Sequence, residues 1–378
     1  MSRFLPIRSL QDTTDPLATA LNFNQTQILM YNVKAPIPIA KVKQKVETIK
    51  LERILDAPNI IDDYYTELLS WNTDNVVAIG LQDTVYLWNG HDGTVETLEL
   101  DHPVRVVHWM GKHLVVCTSH FVFIVDDLKM IQQYKIKNIS TCSSHKTLLS
   151  LGDIEGTIHM VDTRDKTVTT FSVHDGTCCG LAYKKSGDYL LTGGNDNFAN
   201  IWDCRMDSVM ITQSHLAAVK AVTWCPYDSS FVATGGGTMD KSILCWNPLN
   251  GRLMQHLYTD SQVTSLSFAN KNLISTHGFP NNELRVWTPQ KFTQQYKQST
   301  PIYGMESDST GTIELSYNKT QWPYRSVVAH TDRVLHSAIS PDESICCTLS
   351  PDGNLKFWKM CSPLKKQIHK NKKVRLGR

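Results

Sequence analysis

Short apolar strands separated by glycine turns recur along this chain, and the pattern is clearest between Cys178 and Trp246. Two consecutive copies of one unit lie there. Each copy has apolar stretches, a Gly-Gly turn, an aspartate six residues before a tryptophan and a polar residue after that tryptophan. Short apolar runs bounded by turn residues are typical of β-strands. The two copies therefore predict a fold built from repeated small sheets, as in a β-propeller.

The same period extends beyond this pair. Large apolar or aromatic residues that would close the third strand of each unit recur about every 36 to 44 residues, except for a last interval of about 71. These residues are Trp88, Val125, Val161, Trp202, Trp246, Trp287 and Trp358. One more blade and an insertion at about 295–325 would fill the last interval. We therefore expect an all-β fold, a seven-bladed WD-repeat β-propeller; the alternative is an eighth blade that includes residues 311–317.

The two ends of the repeat array predict how the ring closes. The last blade offers three strands, at 334–339, 345–349 and 355–359, whereas a propeller blade needs four. Residues 48–55 form an additional strand pattern before the first blade. We expect this N-terminal strand to complete the last blade, which would also remove an exposed sheet edge.

The segments that flank the repeats differ in composition. Residues 1–47 are polar, contain four prolines and lack a strand or helix period, which predicts a mostly disordered N-terminal segment. Residues 361–378 carry seven Lys or Arg and no acid. This composition predicts a short basic tail that is solvated, directs nuclear import or docks to an acidic groove. The expected domains are thus 1–47, the propeller at 48–360 and the tail at 361–378.

Composition argues against several classes of function. The net charge of +2 gives no reason to expect nucleic acid as a partner. No apolar run reaches the roughly 18 residues of a membrane span, and the N-terminus lacks a signal-peptide core, so we expect a soluble intracellular protein. The ten cysteines include no Cys-x-x-Cys pair. Without a phosphate loop, metal-ligand spacing or nucleophile motif, the sequence predicts a non-enzyme with no metal or cofactor.

A specific resemblance begins at Leu55-Asp-Ala-Pro-Asn-Ile-Ile-Asp-Asp-Tyr-Tyr65. This stretch resembles the segment that enters the propeller of the Fizzy and Fizzy-related proteins, the substrate-binding coactivators of the anaphase-promoting complex. Further similar stretches are Gly193-Gly-Asn-Asp-Asn197, His215-Leu-Ala-Ala-Val-Lys-Ala221, Thr234-Gly-Gly-Gly-Thr238 and Ser275-Thr-His-Gly-Phe279. The resemblance covers about residues 55–359.

The resemblance implies a non-catalytic adaptor that activates this ubiquitin ligase and acts in the nucleus and cytoplasm. Its partners would be subunits of the ligase, degron-bearing substrates such as cyclins, and checkpoint or inhibitor proteins. The alternative is a WD-repeat scaffold or decoy that binds partners without activating the ligase.

Five polar residues are predicted to meet on one face of the propeller. Alternate strands of a blade reverse direction, so the loop before the first strand and the loop between the second and third strands open on the same face. Such loops contain Asn195, Asn197, Thr238, Gln262 and Arg333. Their amides, hydroxyl and guanidinium suit a short peptide that carries an amide and a carboxylate. By resemblance they correspond to the pocket for the Lys-Glu-Asn degron, the KEN box, although Ser70 stands where the family usually has aspartate.

A second peptide site is predicted between the first and last blades. Asp62, Asp63 and Tyr64 combine carboxylates with an aromatic ring, which suits an Arg-x-x-Leu peptide. By resemblance, Asp63 corresponds to an aspartate of the family's destruction-box receptor. Gly353 replaces a glutamate of that receptor, and we interpret the neighbouring Asp352 as a structural turn residue. We interpret Asp196 and Asp240 in the same way.

The flanking segments resemble motifs that dock the family on the ligase. Residues 2–8 are similar to the C box, whose docking residues would here be Arg3, Phe4, Pro6 and Arg8. Ile28 and Leu29 belong to a looser match to a Lys-Ile-Leu-Arg-like docking motif. Arg378 keeps the terminal arginine of the family's Ile-Arg tail.

Overall fold

The computed structural model describes residues 49–289 and 322–360. Within these two ranges it contains β-strands and no helix, and the strands form seven four-stranded sheets. The all-β, seven-bladed propeller expected from the sequence is thus confirmed. The N-terminal segment 1–47, the tail 361–378, most of the insertion at about 295–325 and the alternative blade strand at 311–317 lie outside the described residues. No helix within the described ranges is long and apolar enough to cross a membrane.

The first strand of the chain is β1 (Lys50–Asp56), and the blades follow it in order. Blade one contains β2 (Leu69–Trp71), β3 (Val76–Leu81), β4 (Thr84–Asn89) and β5 (Val95–Glu99). Blade two contains β6 (Val104–Met110), β7 (His113–Thr118), β8 (Val122–Asp126) and β9 (Lys129–Tyr134). Blade three contains β10 (Ile139–His145), β11 (Leu148–Asp153), β12 (Thr157–Asp162) and β13 (Thr167–Ser172).

The remaining blades have the same order. Blade four contains β14 (Cys178–Tyr183), β15 (Tyr189–Gly194), β16 (Phe198–Asp203) and β17 (Ser208–Ser214). Blade five contains β18 (Val219–Trp224), β19 (Val232–Gly236), β20 (Ser242–Trp246) and β21 (Leu253–Tyr258). Blade six contains β22 (Val263–Ala269), β23 (Asn272–His277), β24 (Glu283–Trp287) and β25 (Tyr324–Val328). Blade seven contains β26 (His336–Ile339), β27 (Ile345–Ser350) and β28 (Asn354–Lys359).

Strand β1 supplies the fourth strand of blade seven and closes the ring. It pairs antiparallel with β28, from Lys50 opposite Lys359 to Asp56 opposite Asn354. The closure predicted from the sequence is therefore confirmed, with the strand at 50–56 rather than 48–55. The innermost strands β2, β6, β10, β14, β18, β22 and β26 contact one another in turn around the central channel.

The residues that set the sequence period form the core. Each of the seven predicted positions lies on the third strand of its blade and is buried. Trp246 and Trp287, for example, belong to the fully buried side chains, and Trp287 packs in one apolar cluster with residues of blade five. The insertion lies between β24 and β25, so Trp287 pairs across the sheet with Tyr324. Neighbouring blades thus bury one another's third strands, as expected for a repeat array.

Three blades contain a buried histidine–aspartate pair. In blade seven, His330 Nδ1 lies 2.9 Å from a carboxylate oxygen of Asp352, and His330 Nε2 lies 2.8 Å from Thr348 Oγ1. Trp358 Nε1 donates to the same hydroxyl at 2.8 Å. The corresponding pairs are His174–Asp196 and His215–Asp240. The structural interpretation of Asp196, Asp240 and Asp352 is therefore confirmed.

In blade seven the pKa values of both Asp352 and His330 are shifted. Burial alone would raise the pKa of Asp352, but the charge and hydrogen bond of His330, with further hydrogen bonds from Asn354 and Thr331, hold it below its ordinary value. Burial lowers the pKa of His330. A carboxylate that accepts several hydrogen bonds inside the blade stabilises the turn that contains it.

Candidate functional site

The segment between β1 and β2, residues 57–68, crosses the mouth of the central channel, and we call it the crossing segment. Ala57 N donates to the carbonyl of Gly353 in blade seven at 2.8 Å. Tyr64 Oη donates to the carbonyl of Val263 in blade six at 3.3 Å. Glu67 N donates to a carbonyl of blade two at 3.0 Å. One short stretch of chain therefore contacts blades on opposite sides of the channel.

A cavity of about 490 Å³ lies between the crossing segment and the loops of blades five, six and seven. Its lining includes six of the eight residues that the sequence predicted for peptide binding. These are Asp62, Asp63, Tyr64, Thr238, Gln262 and Arg333. We call this space the mouth cavity; carboxylates, an amide, a hydroxyl and a guanidinium face it together.

Arg333 and Asp62 form an ion pair in the mouth cavity. Arg333 Nε donates to Asp62 Oδ1 at 2.6 Å, and Arg333 Nη2 donates to the backbone carbonyl of Asp62 at 3.1 Å. The sequence had placed these two residues in separate peptide sites, whereas the structure brings them into contact across 271 positions. The side chains are 29% and 56% exposed, so water reaches both partners.

The two other residues predicted for the destruction box have fixed partners. Asp63 Oδ1 accepts a hydrogen bond from Tyr65 N at 2.8 Å, and its Oδ2 lies 3.6 Å from Arg105 Nη2. Tyr64 is buried rather than exposed, and burial raises the pKa of its hydroxyl. Its ring therefore forms part of the floor of the mouth cavity instead of an open aromatic surface.

Asn195 and Asn197 are not among the residues that line the mouth cavity. Asn195 is connected to it, because Tyr65 Oη donates to Asn195 Oδ1 at 3.0 Å. Asn197 has φ of 71°, a left-handed conformation that asparagine tolerates, and its carbonyl accepts a hydrogen bond from His215 N at 2.8 Å. The backbone of Asn197 therefore shapes the turn between β15 and β16.

Sequence reasoning missed two charged residues beneath the mouth cavity, the buried Lys220 and the half-buried Glu67. Lys220 Nζ donates to the carbonyls of Thr66 at 3.1 Å and Leu335 at 3.4 Å, and burial lowers its pKa to about 8. Burial also raises the pKa of Glu67, whose carboxylate accepts hydrogen bonds from the hydroxyl of Thr141 at 2.7 Å and from a backbone amide at 3.1 Å. These bonds hold the crossing segment to the inner strands. Lys220 lies within the apolar run of β18, and this position was a signal from which its burial could have been predicted.

Gly353 and Ser70 are the two positions at which the sequence departs from the family pattern, and the structure shows the local surroundings of each. Gly353 has φ of +80°, a conformation in which a glutamate side chain would be strained. Ser70 Oγ accepts a hydrogen bond from Trp109 N at 3.1 Å, and Ser70 lines a second cavity of about 380 Å³ along the channel instead of the mouth cavity. Neither residue supplies a charge where the family pattern has an acid.

Two further sets of predictions concern metals and docking. Within residues 49–289 and 322–360, no group of three or more His, Cys, Asp or Glu is arranged to hold a metal ion. The predicted ligase-docking residues lie outside the described residues. These are Arg3, Phe4, Pro6, Arg8, Ile28, Leu29 and Arg378.

Comparison with known proteins identifies the family. Residues 55–358 match the family model of the CDC20/Fizzy WD40 domain. The WD repeat-containing protein slp1 of Schizosaccharomyces pombe is 35% identical over 92% of this chain and 72% of its own length. The Arabidopsis thaliana protein named cell division cycle 20.1, cofactor of APC complex, is 32% identical over 90% of this chain and 77% of its own length.

Solved structures give the same answer. A chain in the crystal structure of the mitotic checkpoint complex is 38% identical and superposes with a TM-score of 0.72, covering 82% of this chain and 94% of that one. The family model alone spans the seven blades from the end of β1 to β28. The chain therefore belongs to the CDC20/Fizzy family of WD40 propellers.

Proposed function

We propose that this chain is a non-catalytic adaptor that recognises degrons for the anaphase-promoting complex and activates this ubiquitin ligase. Family membership supports the proposal, as do the name of the Arabidopsis relative, a cofactor of the APC complex, and the likeness to a chain of the mitotic checkpoint complex. Its partners would be ligase subunits, checkpoint or inhibitor proteins and cell-cycle regulators such as cyclins. It would act in the nucleus and cytoplasm.

The observation that carries this proposal is the mixed chemistry of the mouth cavity. Arg333 offers a guanidinium that can bind a carboxylate through paired hydrogen bonds. Thr238 and Gln262 line the same space and can exchange hydrogen bonds with an amide side chain. A KEN-box peptide presents a carboxylate and an amide on consecutive residues, so it matches these groups.

Destruction-box recognition is the second part of the proposal and rests on Asp63. Its carboxylate is partly exposed, and Arg105 Nη2 lies 3.6 Å away. An arginine of an Arg-x-x-Leu peptide would compete with Arg105 for this carboxylate. A partly exposed pair of this kind contributes little stability, so the exchange costs the fold little.

Calorimetry with two peptides tests both parts. Arg333→Ala should weaken binding of a KEN-box peptide about 30-fold or more, because losing one partner of a desolvated charge pair typically costs about 2 kcal/mol or more. It should leave an Arg-x-x-Leu peptide almost unaffected, and Asp63→Ala should give the reverse pattern. Arg164→Ala, an exposed arginine on the opposite face, is the matched control. Parallel losses for both peptides would contradict the proposal that Arg333 and Asp63 recognise different peptides.

The alternative, a scaffold or decoy that binds partners without activating the ligase, is favoured by one observation. Gly353 lies where the family pattern has a glutamate, and its φ of +80° suits glycine. Reconstituted ubiquitination of a degron substrate separates the two functions. Stimulation of the ligase supports the adaptor, whereas ligase and peptide binding without stimulation supports the decoy.

A further inference from the structure

Lys220 is a buried cation that reaches across the central channel. It lies on β18 of blade five, and its Nζ donates to the carbonyl of Leu335, directly before β26 of blade seven, at 3.4 Å. The same nitrogen donates to the carbonyl of Thr66 in the crossing segment at 3.1 Å. We propose that Lys220 is a positioning residue, which holds the crossing segment so that Asp63 faces a destruction-box peptide. This role rests on the proposed function of Asp63 and adds a residue that lines the channel beneath the mouth cavity.

Thr66 connects Lys220 to Asp63. The backbone carbonyl of Thr66 accepts from Lys220, while its side-chain hydroxyl donates to the backbone carbonyl of Asp63 at 2.9 Å. Thr66 is 1% exposed, so bulk water does not reach these bonds. A buried carbonyl that loses its donor is costly to leave unpaired, so the segment would shift towards another partner. The position of the Asp63 backbone therefore depends on Lys220 through one intervening residue.

The charge of Lys220 strengthens its hold on the crossing segment. A hydrogen bond donated by an ammonium is roughly twice as strong as one between neutral groups. The Nζ atom also lies 5.0 Å from the centre of the Tyr64 ring, a cation–π contact with the same segment. Lys220 thus contacts the residues on both sides of Tyr65, whose backbone amide donates to the Asp63 carboxylate at 2.8 Å. Both the backbone and the carboxylate of Asp63 are fixed by neighbours of Lys220.

Protonation of Lys220 gives this role a pH dependence. Burial lowers the pKa of Lys220 from an ordinary 10.5 to about 8, although the charge of Glu67 opposes the shift. A neutral amine still has N–H groups to donate, but it loses the charge that strengthens its hydrogen bonds and the contact with the Tyr64 ring. Raising the pH from 7 to 9 should therefore loosen the crossing segment.

Other titratable and charged groups surround Lys220. Burial raises the pKa of Cys179 to about 12 and lowers that of His336 well below 6.5, so neither group changes its charge between pH 7 and 9. A Lys220→Met variant retains all of the surrounding groups, so the part of the pH dependence that it lacks belongs to Lys220. These groups are Asp63, Tyr64 and Glu67 of the crossing segment, Cys179 of β14, and Arg333 and His336 of blade seven.

Calorimetry with an Arg-x-x-Leu peptide tests the positioning role. At pH 7 Lys220→Met should weaken binding about tenfold, because a smaller fraction of molecules holds the crossing segment in the binding position and the apparent affinity falls by that fraction. Thr66→Val, which removes the hydroxyl that holds Asp63, should also weaken binding. Lys356→Met is the matched control and should bind like wild type. The Nζ of this partly buried lysine donates at 2.9 Å to a backbone carbonyl within blade seven, that of Ala329.

The pH profile separates positioning from a contribution to stability alone. In the wild-type protein the affinity should fall about threefold from pH 7 to 9, and in Lys220→Met it should fall much less. Stability should change in the opposite direction. Because the unfolded chain keeps the ordinary pKa of 10.5, raising the pH above 8 relieves the cost of burying the charge, and the melting temperature of wild type should rise relative to that of Lys220→Met. A lysine that only stabilised the fold would shift affinity and stability in the same direction.

The possible outcomes are distinguishable. If the Arg-x-x-Leu peptide fails to bind the wild-type protein, the proposed destruction-box function fails, and the positioning role fails with it. If the peptide binds wild type and Lys220→Met equally well, the positioning role alone is overturned. Equal losses in Lys220→Met and Lys356→Met would also overturn it. If Lys220→Met does not fold, the wild-type protein still decides, because an affinity that stays constant from pH 7 to 9 would contradict the proposal.

Discussion

One loop of blade seven holds two side chains that contact carboxylates in opposite surroundings. His330 faces Asp352 inside the blade, with the two side chains 0% and 5% exposed. Three positions later Arg333 faces Asp62 across the mouth cavity, with side chains 29% and 56% exposed. The contrast teaches that exposure, rather than residue type, separates a carboxylate that stabilises the propeller from one that a ligand can use.

The largest expected effect follows from removing the buried carboxylate. Asp352→Ala deprives His330, Thr331 N and Asn354 N of their acceptor, so the free energy of unfolding should fall by about 3 kcal/mol or more. Urea denaturation measures this loss, with Asp62→Ala as the matched variant. Equal losses in the two variants would contradict the comparison.

Thr348 tests the same buried network from its other end. Thr348→Val keeps the side-chain shape but removes the hydroxyl that contacts His330 Nε2 and Trp358 Nε1, each at 2.8 Å. Leaving buried polar groups unpaired should lower the free energy of unfolding by about 1–3 kcal/mol. The same change at the exposed neighbour Thr331 should cost much less in thermal denaturation. A comparable fall in the free energy of unfolding at both sites would mean that burial does not determine the cost of losing the hydroxyl.

The buried histidines predict the pH dependence of stability. Burial lowers the pKa of His277, His330 and His336 below the ordinary 6.5. Below pH 6.5 the unfolded chain binds protons at these positions that the folded chain does not, so stability should fall as the pH drops from about 6.5 towards the folded pKa values. His336→Gln should flatten this decline by up to about 1.4 kcal/mol per pH unit. A melting temperature that stays constant from pH 7 to 5 would contradict this account.

The smallest expected effect concerns the exposed pair. Asp62→Asn should change the free energy of unfolding by less than about 0.5 kcal/mol, since water and salt screen a partly exposed ion pair. Denaturation at low and high ionic strength measures the change. A loss as large as that of Asp352→Ala would show that the Arg333–Asp62 pair stabilises the propeller. Exposure would then not distinguish this pair from the His330–Asp352 contact.

The repeat pattern was enough to predict the fold and the structural role of Asp352. Trp202, Trp246 and Trp358 recur because every blade buries its third strand in the same way, so the local period of the sequence reports the global architecture. The missing fourth strand of the last blade indicated that β1 closes the ring. The loops that carry Thr238, Gln262 and Arg333 also follow from strand direction alone.

The sequence could not predict how the crossing segment packs. Asp62 meets Arg333, and Lys220 Nζ meets the carbonyl of Thr66, across 271 and 154 positions. No period relates these residues, because the path of residues 57–68 depends on the closed ring beneath it. For the same reason the sequence placed Tyr64 among the peptide-binding residues and gave no sign that the structure buries its ring.

The position of the insertion in blade six has a practical consequence. Thr288 N donates to the carbonyl of Pro323 at 2.9 Å, and the rings of Trp287 and Tyr324 lie 4.5 Å apart, so the chain leaves and rejoins the blade at one point. The connection between a third and a fourth strand opens on the face opposite the mouth cavity. A biotin or other tether attached at the exposed Thr288, where the chain leaves the blade, would therefore hold the disc on a sensor surface with its peptide-facing side turned towards the solution.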